Sequence, residues 1–294
     1  MELYSPSTIK EIRDRHNFKL SKSLGQNFIT DRNVLEQIIE GADIGPEDLV
    51  IEIGPGIGVL TAEAAERAAR VVAVEIDEKL IPILKETLGG FDNVRILNRD
   101  ILKTDLKEII REEAEGGTFT GDVRIIGNLP YYITTPIIMK LLEEAVPAAS
   151  ITIMMQKEVA DRIRSGPGTK SYGAISVGVQ YYCDVNKVAS VPRDVFIPQP
   201  KVDSTVLNLV PLKEKRIQAA DEKVFFSCVK AAFAQRRKTL LNSLSSAGGM
   251  EKDTVRRILE NAGIDPGRRA ETLTMEEFGR LADEVVNEKA ERDI

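Results

Sequence analysis

The central part of the chain alternates short apolar runs with amphipathic segments. The apolar runs are typical of strands buried on both faces, and the segments between them have the period of helices. The pattern predicts strands over residues 49–53, 70–76, 94–97, 123–126 and 151–155, each followed by a helix, over 59–69, 77–88, 105–114, 135–144 and 157–164. Strands and helices alternating at this spacing favour βαβ units and a parallel sheet covered on both faces.

The alternation stops after residue 164. Residues 175–182 and 204–210 are both strand-like, with no helix pattern between them, so we expect them to pair antiparallel at an edge of the sheet. From residue 221 the pattern is helical, predicting helices over 221–246, 251–262 and 275–290. The chain is therefore divided into an N-terminal arm (1–35), an α/β domain (36–212) and an all-α domain (213–294).

The composition is that of a globular protein, with 43% hydrophobic and 29% charged residues. No apolar run approaches the roughly 18 residues of a membrane span, and the charged N-terminus has no export signal. Cys183 and Cys228 lie far apart without CxxC spacing or a histidine partner, which argues against zinc and favours reduced thiols. We expect a cytoplasmic protein that binds neither membrane nor metal.

The charge is unevenly distributed along the chain. The net charge is −6, yet residues 193–245 carry 10 Lys and Arg against 5 Asp and Glu, while residues 36–192 carry 16 against 25. One interpretation is a local basic surface on an acidic protein. The alternative is a chance scatter of solvated charge.

The first predicted strand ends in a glycine-rich loop, EIGPGIGVLT. Gly54, Gly56 and Gly58 have a GxGxG spacing, rather than the GxGxxG typical of NAD sites. Glu75 ends the second strand at the spacing of a ribose-binding acid, and Asp100 follows the third, where a carboxylate can accept a hydrogen bond from adenine. Because ligands of open α/β sheets bind at the carboxyl ends of the strands, these positions predict an adenosine site. The spacing and the acidic domain favour S-adenosylmethionine, whose sulfonium is positive, over NAD.

The fourth predicted strand ends in GNLPYYIT, which suggests chemistry on an amine. A nucleobase amine is a weak nucleophile, and acceptors for its N–H bonds would localise its lone pair. Asn128 offers one acceptor, and Pro130 favours an extended Leu129 whose carbonyl can supply the second. Tyr131 offers a face for stacking, with Tyr132 expected to pack behind it. In the alternative interpretation Asn128 makes an Asx-turn and the tyrosines belong to the core.

GNLPYYITTPI resembles the amino-methyltransferase motif of the ribosomal RNA adenine dimethyltransferases. Four further segments resemble that family in the same order, SKSLGQNFITD (21–31), VIEIGPGIGVLT (50–61), VFIPQPKVDSTV (195–206) and FAQRRKTLLNSL (233–244). The similarity covers residues 20–290 and is strongest to the bacterial, kasugamycin-resistance branch of the family.

The resemblance implies a Rossmann-like methyltransferase sheet, mostly parallel with an antiparallel edge hairpin, and a small helical domain that recognises RNA. It implies an enzyme that uses S-adenosyl-L-methionine, leaves S-adenosyl-L-homocysteine and dimethylates N6 of two adjacent adenines near the 3′ end of 16S rRNA. The partner would be the immature 30S subunit, in ribosome biogenesis. We expect a monomer.

The resemblance also assigns residues. The cofactor site would comprise Asn27, Ile29, Gly54, Gly56, Glu75, Asp100 and Asn128, with the first two in a segment that covers the cofactor. The catalytic set would be Asn128, Leu129, Pro130, Tyr131 and Phe196, of which Tyr131 and Phe196 match positions that sandwich the target base. A buried core phenylalanine is the alternative for Phe196.

Basic residues near the C-terminal domain are candidates for RNA phosphates. They are Lys201, Lys230, Arg236, Arg237 and Lys238, the last three expected in the second half of helix 221–246. A solvated helix face is the alternative. Two other functions remain open: a large-subunit adenine methylase of the macrolide-resistance type, which is typically more basic, and a non-catalytic assembly or transcription factor on the same fold.

Overall fold

The computed structural model describes residues 2–18 and 25–292. The chain forms two compact units, residues 1–160 with 184–211, and residues 161–183 with 212–294. The first unit combines a sheet with helices, and the second is built around helices.

In its described residues, the first unit contains nine strands and six complete helices, and it shares a seventh helix with the second unit. The strands are β1 (Phe28–Ile29), β2 (Leu49–Ile53), β3 (Arg70–Glu75), β4 (Val94–Asn98), β5 (Val123–Asn128), β6 (Ser150–Gln156), β7 (Cys183–Val191), β8 (Phe196–Ile197) and β9 (Ser204–Pro211). The helices are α1 (Pro6–Arg15), α2 (Arg32–Ala42), α3 (Val59–Ala65), α4 (Ile81–Thr87), α5 (Leu106–Glu115), α6 (Thr134–Glu143) and α7 (Lys157–Arg164), the last continuing into the second unit.

Seven of these strands form one sheet, in the order β4-β3-β2-β5-β6-β9-β7. The five from β4 to β6 are parallel, and β9 runs antiparallel to β6. All of β2 and nearly all of β3 and β6 are buried, as expected when helices cover both faces. The five strands predicted from the apolar runs are thus confirmed, and so is the mostly parallel α/β sheet.

The order of the strands fixes where a ligand can bind. From β2 the chain continues to β3 and β4 on one side, then returns to place β5 and β6 on the other. This reversal is a topological switch point, where neighbouring connections diverge and leave a crevice beyond the carboxyl ends of the strands. The glycine loop follows β2, and Asn128 ends β5 on the other side of the switch point.

The N-terminal arm packs on the first unit. Ile9 and Ile12 of α1 are each 1% exposed and belong to the same buried cluster as Leu35 of α2. Further along, β1 pairs antiparallel with β8, aligning Ile29 with Phe196. The arm is therefore held by both apolar packing and a short strand pair.

One predicted strand is wrong. Residues 175–182 lie in a helix, α8 (Ala174–Tyr182), and the edge strand β7 begins only at Cys183. A short, uninterrupted apolar run fits a buried helix as well as a strand, so its packing partners decide between them. Here Tyr181 stacks on Phe225 with ring centroids 5.0 Å apart, inside the core of the second unit.

The helix predicted over 221–246 is also wrong, because two helices occupy this stretch. The second unit continues with α9 (Glu222–Phe233), α10 (Leu240–Gly248), α11 (Lys252–Asn261) and α12 (Met275–Arg292). Residues 234–239, which we name the basic turn, separate α9 from α10. The helical pattern of main-chain hydrogen bonds is interrupted here, because the Leu240 N–H donates to the Arg268 carbonyl at 2.8 Å and not to a carbonyl of the preceding turn.

The second unit also contains residues 161–183, which the sequence pattern placed with the α/β domain. Its buried residues include Tyr172 and Val177 from this segment together with Phe278 of α12. Among the helices of the described ranges, none is long and apolar enough to cross a membrane.

Candidate functional site

A cleft of about 930 Å³ opens at the carboxyl ends of the parallel strands in the first unit. This volume includes the solvent space at the open mouth of the cleft. The structure brings together there all seven residues predicted to bind a cofactor, and Pro130 with them; the seven are Asn27, Ile29, Gly54, Gly56, Glu75, Asp100 and Asn128.

The glycines after β2 form one wall of the cleft because their backbone turns in the left-handed region. Gly54 has φ +72°, and a Cβ there would meet nothing within 4 Å, so the backbone borders open space. Gly56 has φ +62°, and its Cβ would come 2.9 Å from Cε1 of Phe28. Non-glycine residues rarely adopt this conformation, and at Gly56 a side chain would also displace Phe28.

Glu75, the last residue of β3, is 5% exposed and fixed by main-chain donors. Its Oε1 accepts the Asp77 N–H at 2.8 Å and its Oε2 accepts the Gly56 N–H at 3.3 Å. Burial raises the pKa of this carboxyl, while the two N–H groups act in the opposite direction. Each oxygen has a second lone pair, so the side chain can still accept hydrogen bonds from a ligand.

A second buried carboxyl, Glu52, lies in the wall of the cleft and was missed in the sequence analysis. It is 1% exposed, and Thr61 Oγ1 donates to its Oε2 at 2.5 Å. Burial raises its pKa to about 8, with the nearby charge of Glu75 contributing in the same direction. The available signal was a lone acid inside the apolar run LVIEI, in a strand whose two faces are both covered.

Asp100 follows β4 and caps a short turn. Its Oδ1 accepts the Leu102 N–H at 3.0 Å, and Lys103 Nζ lies 3.7 Å from Oδ2. Asn98, two residues earlier, donates from Nδ2 to the Glu75 carbonyl at 2.9 Å. This bond ties the ends of β3 and β4 together, and both predicted acids line the cleft.

Asn128 ends β5, and its side chain crosses to the N-terminal arm. Its Nδ2 donates to the Asn27 carbonyl at 2.8 Å. Because a carbonyl can only accept, this contact assigns the amide orientation, and within the described residues Oδ1 accepts no hydrogen bond. The Asx-turn alternative fails, since it needs the N–H of residue 130, which is proline.

The arm residues 25–29, which we name the strap, cover one side of the cleft. Besides the Asn128 contact, Asn27 Nδ2 donates to the Gly25 carbonyl at 2.9 Å, and Gln26 Nε2 donates to Asp77 Oδ2 at 2.8 Å. Gln26 lines the cleft and was not among the predicted residues. The strap is thus attached at the ends of both β5 and β3. The predicted segment also included residues 21–24, which lie outside the described residues.

The two tyrosines after Pro130 occupy different environments. Tyr131 is half-buried, its hydroxyl lies 2.7 Å from Ser204 Oγ, and burial raises its pKa. Tyr132 is 58% exposed and lines the cleft, whereas Tyr131 is not among the lining residues. The expectation that Tyr132 packs behind Tyr131 is therefore wrong.

Leu129 and Phe196 are buried rather than facing the cleft. Leu129 is 1% exposed and does not line the cleft, so the part of its main-chain carbonyl in binding a ligand stays a prediction. Phe196 is 3% exposed and belongs to the core cluster of the first unit. This placement matches the core alternative for Phe196, and its role beside a base stays a prediction.

The five predicted RNA-binding residues are exposed. Arg236, Arg237 and Lys238 lie in the basic turn, not in a helix as predicted, and the Arg236 guanidinium donates to the Lys170 carbonyl. In the part of the chain that the structure describes, neither Arg237 nor Lys238 forms an ion pair. Lys230 lies on α9 of the second unit, and Lys201 lies in the first.

Comparison with known proteins places this arrangement among RNA methyltransferases. The family described as ribosomal RNA adenine dimethylase matches residues 17–285. A ribosomal RNA small subunit methyltransferase A of Clostridioides difficile (strain 630) is 52% identical, over 98% of both chains.

Two solved structures extend the comparison. A dimethyladenosine transferase from Plasmodium falciparum is 26% identical with a TM-score of 0.71, covering 90% of this chain and 98% of that one. The 23S rRNA methyltransferase ErmE is 28% identical with a TM-score of 0.63, covering 88% and 99%. The fold is therefore shared by a dimethyladenosine transferase and a 23S rRNA methyltransferase.

Proposed function

Because the chain belongs to the ribosomal RNA adenine dimethylase family, we propose that it dimethylates N6 of two adjacent adenines near the 3′ end of 16S rRNA. The methyl donor is S-adenosyl-L-methionine, the substrate particle is the immature 30S subunit, and the place of action is the cytoplasm. One observation carries the proposal: Asn128 has an oriented side-chain oxygen, without a hydrogen bond from any described residue, on the wall of a cleft suited to an adenosine.

The residues of the cleft fit the cofactor. Gly54 leaves open space at a left-handed backbone turn, so a ligand can approach the main chain there. Glu75 has free lone pairs for ribose hydroxyls, and Asp100 offers a carboxylate for an adenine amine. When bound, S-adenosylmethionine supplies an electrophilic methyl group on a sulfonium.

Asn128 and Leu129 would act on the target amine. With its NH₂ committed to the Asn27 carbonyl, Asn128 can offer the base only its Oδ1, an acceptor for an N6–H bond. The Leu129 main-chain carbonyl is the second proposed acceptor. Together they hold the amine with its lone pair localised for attack, which needs no side-chain base.

Tyr131 is proposed to stack on the adenine. Its hydroxyl bond to Ser204 fixes the ring, so that little side-chain entropy is lost when a base binds. Pro130 supports the same turn, because its carbonyl accepts the Ile133 N–H at 3.1 Å and the Thr134 hydroxyl at 3.1 Å. A base turned out of its stack would meet a ring already held in place.

The choice of ribosomal subunit is supported by the relative of high identity. The ErmE structure has a similar fold, but the 52% identical relative is named for the small subunit. A non-catalytic factor on this fold would have no need for a complete cofactor cleft. We therefore favour the small-subunit enzyme over both alternatives.

The experiment offers the purified chain labelled S-adenosylmethionine with three substrates: 30S particles from cells lacking the modification, mature 30S particles, and 50S precursors. We expect label in the immature 30S particles alone, at N6 of two adjacent adenines. Label confined to the 50S precursors would overturn the small-subunit assignment. Cofactor binding without label in any particle would favour the non-catalytic alternative.

A further inference from the structure

The aromatic ring of Tyr132 is exposed to solvent at the edge of the cofactor cleft. It is 58% exposed, although it lines the cleft together with Asn128 and Pro130. Its hydroxyl makes no hydrogen bond within the described ranges of the chain. A tyrosine can bury roughly 150–250 Å² of surface, so this exposure forgoes a favourable contribution unless a ligand covers the ring.

The strap lies against this ring. A Cβ on Gly25 would stand 3.8 Å from Cε1 of Tyr132 and 3.3 Å from Cβ of Pro130. Gly25 has φ +61°, a conformation that glycine adopts without strain. A side chain at position 25 would be in ordinary van der Waals contact with the ring and tight against Pro130, so the strap lies beside both residues. Gln26 and Asn27 anchor the strap to the ends of β3 and β5.

We propose that Tyr132 is a cofactor-retaining residue, whose ring and the strap together cover S-adenosylmethionine in the cleft. The inference rests on the proposed function, because it takes the cofactor to occupy this cleft. The ring contributes apolar contact rather than a hydrogen bond, so it slows dissociation of the cofactor. Tyr132 thus differs from Tyr131, which is held by Ser204 and is assigned to the base.

The test measures binding of S-adenosylhomocysteine to the full chain by calorimetry, and its release by displacement with labelled S-adenosylmethionine. Tyr132→Ala is compared with Tyr132→Phe, which keeps the ring. Val202→Ala is the matched control, since Val202 is 43% exposed and does not line the cleft. We expect Tyr132→Ala to weaken affinity about fivefold, mostly through faster release, and the other two variants to match the wild type.

Two results would overturn the proposal. Unchanged affinity in Tyr132→Ala with reduced methylation of 30S particles would assign the ring to RNA instead. Equal weakening in Tyr132→Phe would assign the effect to the hydroxyl. If the wild-type chain bound no S-adenosylhomocysteine, the cofactor cleft and the proposed function would themselves be wrong. If the wild type bound it and Tyr132→Ala bound it equally well, only the role of Tyr132 would be wrong.

Discussion

At the scale of single residues, Asn128 illustrates how one hydrogen bond determines what a side chain can do. An asparagine offers both a donor and an acceptor, and the Asn27 carbonyl takes the donor. What remains for a ligand is the oxygen. Residue chemistry in this cleft is therefore decided by which atoms the fold has already used.

Asn128→Ala is expected to lower turnover roughly a hundredfold, because loss of one oriented polar group at a reacting centre typically has this effect. Binding of S-adenosylhomocysteine should change by less than the turnover. Asn93→Ala is the control, since Asn93 bonds the Ala65 and Ala68 carbonyls and does not line the cleft. Turnover is measured on immature 30S particles; an Asn128 variant as active as the wild type would contradict the role of its oxygen.

Glu52 makes stability depend on pH in a direction opposite to that of a paired carboxylate. Its pKa rises from 4.5 to about 8 in the folded chain because it is buried. Between these values the folded state holds a proton that the unfolded state has released. The contribution of Glu52 to stability is thus complete below pH 4.5 and is lost as pH rises toward 8, by at most about 1.4 kcal/mol per pH unit.

Glu52→Gln should therefore stabilise the protein increasingly as pH rises, since glutamine stays neutral and can still accept from Thr61. Urea unfolding of both proteins between pH 5.5 and 8 gives the difference in free energy of unfolding. The exposed Glu40→Gln serves as the control and should show a constant difference. A Glu52→Gln difference that does not change with pH would mean that this carboxyl is ionised in the folded chain.

At the scale of elements, the cleft results from strand ends and the strap meeting at one place. β2 supplies the glycine turn, β3 ends in Glu75, and β5 ends in Asn128. The strap then crosses this edge, with Phe28 packed against Gly56 and Gln26 bonded to Asp77. Cofactor binding should therefore respond to changes that move the strap as a whole.

Gly56→Ala is expected to move the strap and thereby to weaken cofactor binding. The new Cβ would stand 2.9 Å from the Phe28 ring, and the left-handed φ costs alanine about 1–2 kcal/mol. We expect lower stability in urea together with weaker S-adenosylhomocysteine binding. Gly90→Ala is the control, since a Cβ there meets nothing within 4 Å and the backbone is not left-handed. If Gly56→Ala lost stability but kept its affinity, the strap would not be coupled to the cofactor site.

At the scale of the whole molecule, an acidic chain has to bind an acidic partner. The net charge is −6, so attraction to RNA depends on where unpaired cations lie. Several basic residues of the second unit form ion pairs within that unit, as Arg268 does with Glu277. Arg237 and Lys238, by contrast, form no ion pair among the described residues and lie on the exposed basic turn.

Arg237→Ala and Lys238→Ala are each expected to weaken 30S binding and to reduce the slope of log affinity against log salt by about one. Arg256→Ala is the control, as Arg256 is exposed on α11 outside the basic turn. Affinity is measured by filter binding over a series of salt concentrations. An unchanged salt slope in both variants would indicate that the basic turn is a solvated surface.

Sequence alone determined the five parallel strands of the sheet and which residues follow their carboxyl ends. The reason is that a strand buried on both faces needs a continuous apolar run, and that functional residues at strand ends fall at fixed places after those runs. Gly54, Glu75, Asp100 and Asn128 could therefore be identified without knowing which strands are neighbours. The glycines of the loop could be identified from the sequence because few other residues adopt a left-handed backbone conformation.

Only the tertiary structure decided what depends on packing partners. Residues 174–182 became a helix because Tyr181 packs on Phe225, a contact that no local pattern contains. The neutral state favoured by Glu52 depends on complete burial, and the different environments of Tyr131 and Tyr132 depend on how one turn leaves β5. These properties arise from neighbours distant in sequence, which periodicity and spacing do not record.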